Sequence, residues 1–164
     1  MKNKTKDFTV KEFIERFPEL ELPVSFTDEN VSEFSRSNSP LAAGMIEKYI
    51  IPCEQEIDEF TEFVPCMRIP ETYDFYALVY WKGGLMNYQY IMLTITKDGD
   101  PIERKVLSGT YFDGKVLTKS VAHLDEDWSI HVVGGQSEDS LYTAANSRSK
   151  VLELLPDGTF SKEL

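Results

Sequence analysis

Hydrophobic residues are spaced as in helices in the first part of the chain and as in strands in the rest. Thr9 and Glu12 have capping-box spacing, and Phe8 and Phe13 stand at the two hydrophobic staple positions. Together these residues predict the start of a helix. Pro18 ends this helix, because the residue before a proline disfavours helical geometry.

A second helix is predicted between Ser39-Pro40 and Pro52. Serine is a favoured cap and proline a favoured first-turn residue, and proline also stops a helix from continuing. Apolar residues follow the start at intervals of four: Leu41, Met45 and Tyr49. Before this helix, residues 20–26 alternate between apolar and mostly polar positions as in a short strand. Residues 28–38 show no such pattern.

The remainder of the chain has the composition of strands and hairpin turns. Residues 73–81 and 88–96 are rich in aromatic and β-branched side chains. Gly83-Gly84, Asp98-Gly99 and Asp113-Gly114 mark turns between such segments, because these residues tolerate positive φ. The regular spacing of the turns predicts an antiparallel meander.

The fold class predicted from these segments is α+β. Helices within residues 8–62 are expected to pack on a mostly antiparallel meander sheet of about five to seven strands within residues 63–164, in a single domain covering residues 1–164. Residues 134–150 are polar and unpatterned, and a connection of that length predicts a mobile loop, with a functional loop as the alternative. Residues 151–155 then predict a final strand.

Four tyrosines of the central hairpin form a candidate binding face: Tyr76, Tyr80, Tyr88 and Tyr90. Both alternating sets of each strand are apolar or aromatic, so the composition of each face depends on the register. Pairing like with like gives one aliphatic and one tyrosine-rich face. It requires a loop over residues 82–87, because a one-residue slip exchanges the faces. Tyrosine joins apolar area to a polar tip and suits a peptide, glycan or other ligand. The alternative is that a strand, a helix or a second copy of the chain covers these rings.

The two histidines of the chain, His123 and His131, enclose the stretch LDEDWSI. A hairpin with its loop at residues 125–127 pairs Ala122 with Ile130 and places both histidines diagonally on the outer face. Such a pair is a candidate metal site or pH-sensitive pair. The alternative is two plain surface histidines, since this register leaves the loop carboxylates away from both rings and identifies no third ligand.

The formal net charge of −11 and the pI of about 4.6 bear on the choice of partner. An acidic surface repels phosphate backbones and anionic membranes, so nucleic acid is not an expected partner. A basic protein partner or a homodimer is compatible with the charge, although acidity also serves solubility. The acidic group Glu56, Asp58, Glu59 and Glu62 is either a solvated face or a set of carboxylates for acid–base catalysis.

Cys53 and Cys66 stand outside any CxxC motif, which argues against zinc-finger and redox motifs. They are interpreted as two buried thiols, with a disulfide as the alternative. No apolar run is long enough to span a bilayer, and the N-terminus lacks the apolar segment of a signal peptide. With Met1 as the native start a cytoplasmic protein is expected, and with a leader removed a cell-envelope location. No cofactor-binding motif occurs, so no cofactor is predicted.

Three segments resemble a group of uncharacterised small bacterial proteins, many of them lipoprotein-like. The segments are YDFYALVYW at residues 73–81, YIMLTITKDGDPIERKVL at residues 90–107 and VLELLPDGTF at residues 151–160. The resemblance covers about half of the chain and implies an antiparallel meander in its C-terminal half, but no activity. The lipobox-type leader of that group does not occur in this sequence.

These observations predict a non-catalytic binding or interaction protein that uses the tyrosine face or an acidic surface. An immunity-type protein that neutralises a basic toxin enzyme is the concrete form of this hypothesis. The competing hypothesis is a small hydrolase or a metal-dependent enzyme that uses carboxylates or the His123/His131 pair.

Overall fold

The computed structural model describes residues 7–138, 141–142 and 147–163. Its helical segments are short and lie in the N-terminal part. They are α1 (Val10–Ile14), α2 (Val31–Ser37) and α3 (Ala43–Met45), with a π-helical turn at Ile46–Ile50 and a 3₁₀ turn at Ile51–Cys53 directly after α3. Helix α3 and the two turns after it occupy residues 43–53, which is most of the second helix predicted from the sequence.

Helix α1 begins at the predicted cap. The hydroxyl of Thr9 accepts a hydrogen bond from the amide of Glu12 at 3.2 Å, and the Glu12 carboxylate accepts one from the amide of Thr9 at 3.3 Å. The predicted start of the second helix at Ser39 is wrong, because the cap residue is Ala42. Helix α2 was not predicted. It buries no residue fully, and Val31 and Phe34 are its two side chains that pack against the core.

Nine strands occur within the described residues, against the five to seven predicted. They are β1 (Val24–Phe26), β2 (Glu62–Arg68), β3 (Phe75–Gly84), β4 (Asn87–Thr96), β5 (Pro101–Phe112), β6 (Val116–Leu124), β7 (Ser129–Glu138), β8 (Leu141–Tyr142) and β9 (Arg148–Glu153). Strands β2 to β8 follow one another in the sheet in chain order, β1 pairs with β6, and β9 pairs with β7. All of these pairings are antiparallel, which confirms the predicted meander.

The sheet separates between β5 and β6. These two strands pair only where residues 110–112 of β5 meet residues 117–119 of β6. Farther along β6, strand β1 replaces β5 as the partner and pairs with residues 122–124. Strands β6, β7 and β9 therefore diverge from β5. They form a second layer that faces one side of β3 and β4, called the inner face below.

The first core fills the space between these two layers. Strands β3 and β4 contribute Ala77, Val79, Tyr90 and Met92, and the facing layer contributes Ala122, Leu124, Ile130, Val132 and Leu152. The second core lies on the opposite face of the same two strands. There Leu78, Tyr80, Ile91, Leu93 and Ile95 are buried together with Phe13, Phe17, Met45, Tyr49 and Ile50 of the N-terminal segment. Strands β3 and β4 are therefore buried on both faces.

The strand bounds correct one further prediction, and the cysteines confirm the predicted free thiols but only in part their burial. The predicted loop over residues 134–150 belongs in part to strands, since β7 continues to Glu138 and β9 begins at Arg148; residues 139–140 and 143–146 lie outside the described residues. Cys53 and Cys66 form no disulfide, and only Cys66 is fully buried, whereas Cys53 is partly exposed. None of the helices in the described ranges is long and apolar enough to cross a membrane.

Candidate functional site

The four candidate tyrosines do not share one surface. Tyr76 and Tyr80 belong to the face of β3 that carries the second core, whereas Tyr88 and Tyr90 belong to the opposite face of β4. Tyr80 and Tyr90 are fully buried. Burial raises the pKa of both phenols above the ordinary tyrosine range. The predicted tyrosine-rich face is therefore not formed: Tyr90 is buried in the first core and Tyr80 in the second.

The register that separates the tyrosines follows from an unexpected turn. Gly84 pairs with Asn87, so the turn consists of only Leu85 and Met86, and the predicted loop over residues 82–87 is wrong. Gly83 serves the strand instead of the turn, because a Cβ atom there would lie 2.2 Å from the Trp81 ring. That ring lies over Gly83 and stacks on Tyr88 with the ring centroids 5.6 Å apart.

The two histidines are directly opposite each other on β6 and β7. His123 pairs with His131 and Leu124 pairs with Ile130, so the hairpin loop comprises the four residues 125–128. The predicted pairing of Ala122 with Ile130 is shifted by two residues and is wrong. It failed because a shift of two keeps every side chain on its own face, and the alternation of polar and apolar residues cannot detect it.

Asp125 joins the two imidazole rings. Its Oδ1 lies 3.3 Å from Nε2 of His123, and its Oδ2 lies 3.3 Å from Nε2 of His131. The three side chains are between 40% and 46% exposed. The prediction that the loop carboxylates stay away from both rings is therefore wrong for Asp125. Sequence reasoning missed this contact because it assigned the wrong register to the hairpin.

Two serines complete the cluster, which is called the histidine cluster below. Ser25 of β1 lies opposite His123 on the other edge of β6, and its Oγ is 2.9 Å from Nδ1 of that ring. Ser129 Oγ is 3.3 Å from Nε2 of His131 and donates to Asp127 at 2.5 Å. The Ser129 hydroxyl and amide lower the pKa of Asp127.

A metal ion has no ready ligand set in the histidine cluster. The carboxylate of Asp125 lies between the two rings and contacts Nε2 of each. Across the described ranges, no group of three or more His, Cys, Asp or Glu side chains is arranged to hold a metal ion. The cluster instead contains a series of contacts from a serine to an imidazole to a carboxylate: Ser25 contacts His123, and His123 contacts Asp125.

A buried carboxylate that sequence reasoning missed lies on the other side of the sheet. The side chain of Glu54 is fully buried and accepts hydrogen bonds from Arg104 Nε and Nη2 at 2.8 and 2.9 Å, from Lys82 Nζ at 2.8 Å and from the Tyr80 hydroxyl. Burial acts to raise its pKa, but the hydrogen bonds from Arg104, Lys82 and Tyr80 outweigh burial and hold the pKa below its ordinary value. Because Tyr80 and Lys82 belong to β3 and Arg104 to β5, Glu54 anchors the N-terminal segment to these two strands.

One end of the sheet concentrates exposed apolar side chains. Among the described residues nine large hydrophobic side chains are exposed, and five of them belong to this end: Phe60, Leu85, Met86, Tyr88 and Tyr111. The pairing of Glu62 with Gly83 places the turn before β2 beside the β3–β4 turn. The Phe112 amide donates to the Met86 carbonyl at 2.9 Å and brings the end of β5 to the same place. These five residues are called the apolar end below.

Carboxylates surround the apolar end. Asp58, Glu59 and Glu62 lie in or beside the turn that carries Phe60, and Asp113 follows directly after β5. Asp58 stabilises its own turn by accepting from the Phe60 amide at 2.8 Å. The acidic group singled out in the sequence thus borders exposed aromatic rings, which neither of its two interpretations included.

The chain matches no protein-family model, and no curated protein or solved structure is detectably similar to it.

Proposed function

We propose that this protein is a non-catalytic interaction protein that binds a basic protein partner through the apolar end. The observation that carries the proposal is that five exposed large apolar side chains occur at one end of the sheet, on a chain of net charge −11. Tyr88 and Tyr111 project from opposite faces there, because Tyr88 pairs with Thr110 and Asn87 with Tyr111. Exposed large apolar side chains that are concentrated in one region of a surface are a mark of interaction sites. Aromatic side chains contribute most to the binding free energy of such sites.

The charges around the apolar end favour a basic partner over a second copy of the chain. In a symmetric dimer formed through the apolar end, the carboxylates of the two copies would lie close together and repel each other. These carboxylates are Asp58, Glu59, Glu62 and Asp113. Against a basic surface the same carboxylates accelerate association and oppose acidic competitors. An immunity-type protein that neutralises a basic toxin enzyme is the concrete form of this proposal.

The test begins with capture of a partner from the native cells at low salt. The partner is identified by mass spectrometry, purified and titrated by calorimetry against the wild type and two double variants. Phe60→Ser with Met86→Ser removes apolar area from the apolar end. Val121→Ser with Val133→Ser removes exposed apolar area away from the apolar end and serves as the control.

We expect a basic partner whose affinity falls about tenfold or more in the first variant, as for loss of interface anchors, and also falls with added salt. The control variant should keep the wild-type affinity. An acidic partner, or equal affinity in both variants, would contradict the proposal. A homodimer of the wild type that dissociates in the first variant would assign the apolar end to self-association and would also contradict it.

A hydrolase that uses the histidine cluster is the second candidate. The order Ser25, His123, Asp125 favours it, since a serine bonded to an imidazole that contacts a carboxylate is the arrangement of an activated nucleophile. Hydrolysis of p-nitrophenyl acetate by the wild type and by Ser25→Ala tests this candidate, with Ser32→Ala on α2 as control. Equal rates in all three proteins would reject it.

The metal-dependent version is tested by metal analysis of tag-free protein, and a stoichiometric ion lost in His123→Ala with His131→Ala would overturn the leading proposal.

A further inference from the structure

A cleft opens where β5 and β6 separate. Their pairing stops after Thr110 and Lys119, and the two layers then diverge around a cavity of about 530 Å³. This volume lies within the range of about 300–1,000 Å³ that is common for small-molecule sites. The cleft is bordered by β4 and β5 on one side and by β6, β7 and β9 on the other.

The interior of the cleft combines apolar and hydrogen-bonding groups. Leu107 and Val132 are buried and provide apolar surface at its base. Hydroxyl groups from both layers line its walls: Ser108, Thr110, Thr118 and Ser120. An apolar base with a few polar groups around it is the usual composition of a site for a small organic molecule.

Ser120 and a glycine hold the two layers together at the point where the cleft begins. The amide of Gly109 donates to Ser120 Oγ at 3.0 Å across the gap between β5 and β6. A Cβ atom at Gly109 would lie 2.1 Å from the Tyr88 carbonyl, so no other residue fits there. A less severe restriction applies at Gly134 of β7, where a Cβ atom would lie 3.1 Å from the side chain of Ser120.

The mouth of the cleft is positive although the chain is strongly acidic. Arg148 and Lys150 of β9 line it together with Glu163. Glu163 is already engaged by Lys150 at 2.8 Å and by Lys105 at 3.6 Å. The charged side chains that line the mouth therefore carry two positive charges and one negative charge.

Arg148 is the cation that remains open to a ligand. Within the described residues no carboxylate lies at ion-pair distance from its guanidinium, and its strand partner is the side-chain-free Gly134. A guanidinium binds a carboxylate through two parallel hydrogen bonds. We propose that the cleft binds a small organic monocarboxylate, with its carboxylate at Arg148 and its apolar body against Leu107 and Val132.

The apolar base distinguishes this ligand from an inorganic anion. Leu107 and Val132 offer no hydrogen bond to a phosphate ion, whereas the ring or alkyl chain of a carboxylate would pack against them. This inference does not depend on the proposed protein partner. Tyr88 and Tyr111 border both the cleft and the apolar end, so variants of these two residues are not used to test it.

The experiment is a titration followed by amide chemical shifts in ¹⁵N-labelled protein. Benzoate and octanoate are the test ligands, benzamide is the neutral counterpart of benzoate, and inorganic phosphate is the anion without an apolar body. Each is added up to about 10 mM, which covers the affinities expected for small ligands. Arg148→Gln is compared with Arg36→Gln on α2, an exposed arginine away from the cleft.

We expect benzoate or octanoate to shift the amides of Gly109 and Gly134, and benzamide and phosphate to bind at least about tenfold more weakly. Arg148→Gln should weaken carboxylate binding by about tenfold or more, and Arg36→Gln should leave it unchanged. Absence of shifts with both carboxylates would overturn the inference. So would equal binding of benzamide or phosphate, shifts confined to residues outside the cleft, or unchanged binding in Arg148→Gln.

Discussion

The β3–β4 and β6–β7 hairpins differ in how many of their faces are buried. Strands β3 and β4 are covered on one face by the facing strands and on the other by the N-terminal segment. Strands β6 and β7 bury only the inner face, and their outer face exposes Val121, Val133 and the two histidines. In a strand buried on one face, apolar and polar residues alternate, so the sequence shows which side chains point inward. In a strand buried on both faces there is no such alternation.

The one-sided hairpin confirms this rule and shows its limit. Alternation in β6 and β7 placed Ala122, Leu124, Ile130 and Val132 on the inner face, and all four are buried there. The predicted pairing between the two strands nevertheless differs by two residues from the observed pairing. Alternation fixes the face of each side chain but leaves the register free to move by any even number of residues.

Both hairpins turn at a residue that gives no turn signal. Met86 ends the β3–β4 turn with φ of 62°, and Trp128 ends the β6–β7 loop with φ of 67°. Glycine or asparagine usually occupies such positions. The hairpins at Gly99 and Gly114, with φ of 96° and 100°, carry that signal and were predicted. The structural reason at β6–β7 is packing, because the Trp128 ring meets the Phe75 ring edge-on at 6.0 Å.

The largest effect on stability is expected from Leu93→Ala on β4. Leu93 is fully buried in the second core, so the variant should lose about 3–5 kcal/mol of unfolding free energy through lost burial and the cavity left behind. Val133→Ala on the outer face of β7 should change it by less than about 0.5 kcal/mol. Urea unfolding measures both, and similar losses would contradict the difference between the hairpins.

A smaller effect is expected from Glu54→Gln. Removing the buried charge leaves Arg104 and Lys82 without their partner and should cost about 2–3 kcal/mol at neutral pH. Since the folded pKa of Glu54 is lowered, its contribution is complete above the ordinary carboxyl pKa and is lost as pH falls through the folded pKa. Unfolding from neutral to acid pH should show the two proteins converging. The exposed Glu59→Gln is the control, and a gap that widens in acid would refute the assignment.

Met86→Gly is expected to raise stability slightly. The side chain is largely exposed and the backbone is left-handed, so glycine relieves strain while losing little burial. The greater freedom of glycine in the unfolded chain offsets part of this gain, which leaves about 0.5 kcal/mol. Leu85→Gly, beside it at negative φ, should lower stability in the same thermal unfolding measurement. A loss in Met86→Gly would show that its side chain contributes more than its exposure indicates.

The smallest effect is expected from His131→Ala. Its contact with Asp125 is about half exposed, and exposed ion pairs contribute little, so the change should stay within about 0.5 kcal/mol. Denaturant unfolding at pH 7 checks this. A loss comparable to that of Glu54→Gln would mean that the histidine cluster stabilises the hairpin as strongly as the buried carboxylate stabilises the second core.

The sequence by itself determined the local features of this protein. The capping box at Thr9, the glycine turns at Gly99 and Gly114, and the inner face of β6 and β7 follow from interactions between near neighbours. The predicted antiparallel sheet follows from the same local patterns. These features need no knowledge of where the rest of the chain lies.

Only the tertiary structure decided which distant groups meet. The burial of Glu54 depends on Tyr80, Lys82 and Arg104, and the cleft beside Arg148 depends on the separation of β5 from β6. Asp125 reaches both histidines because the hairpin has a four-residue loop. The alternation of polar and apolar residues does not reveal an even-numbered shift of register, and it is absent where a strand is buried on both faces. The sequence alone could therefore not specify these contacts.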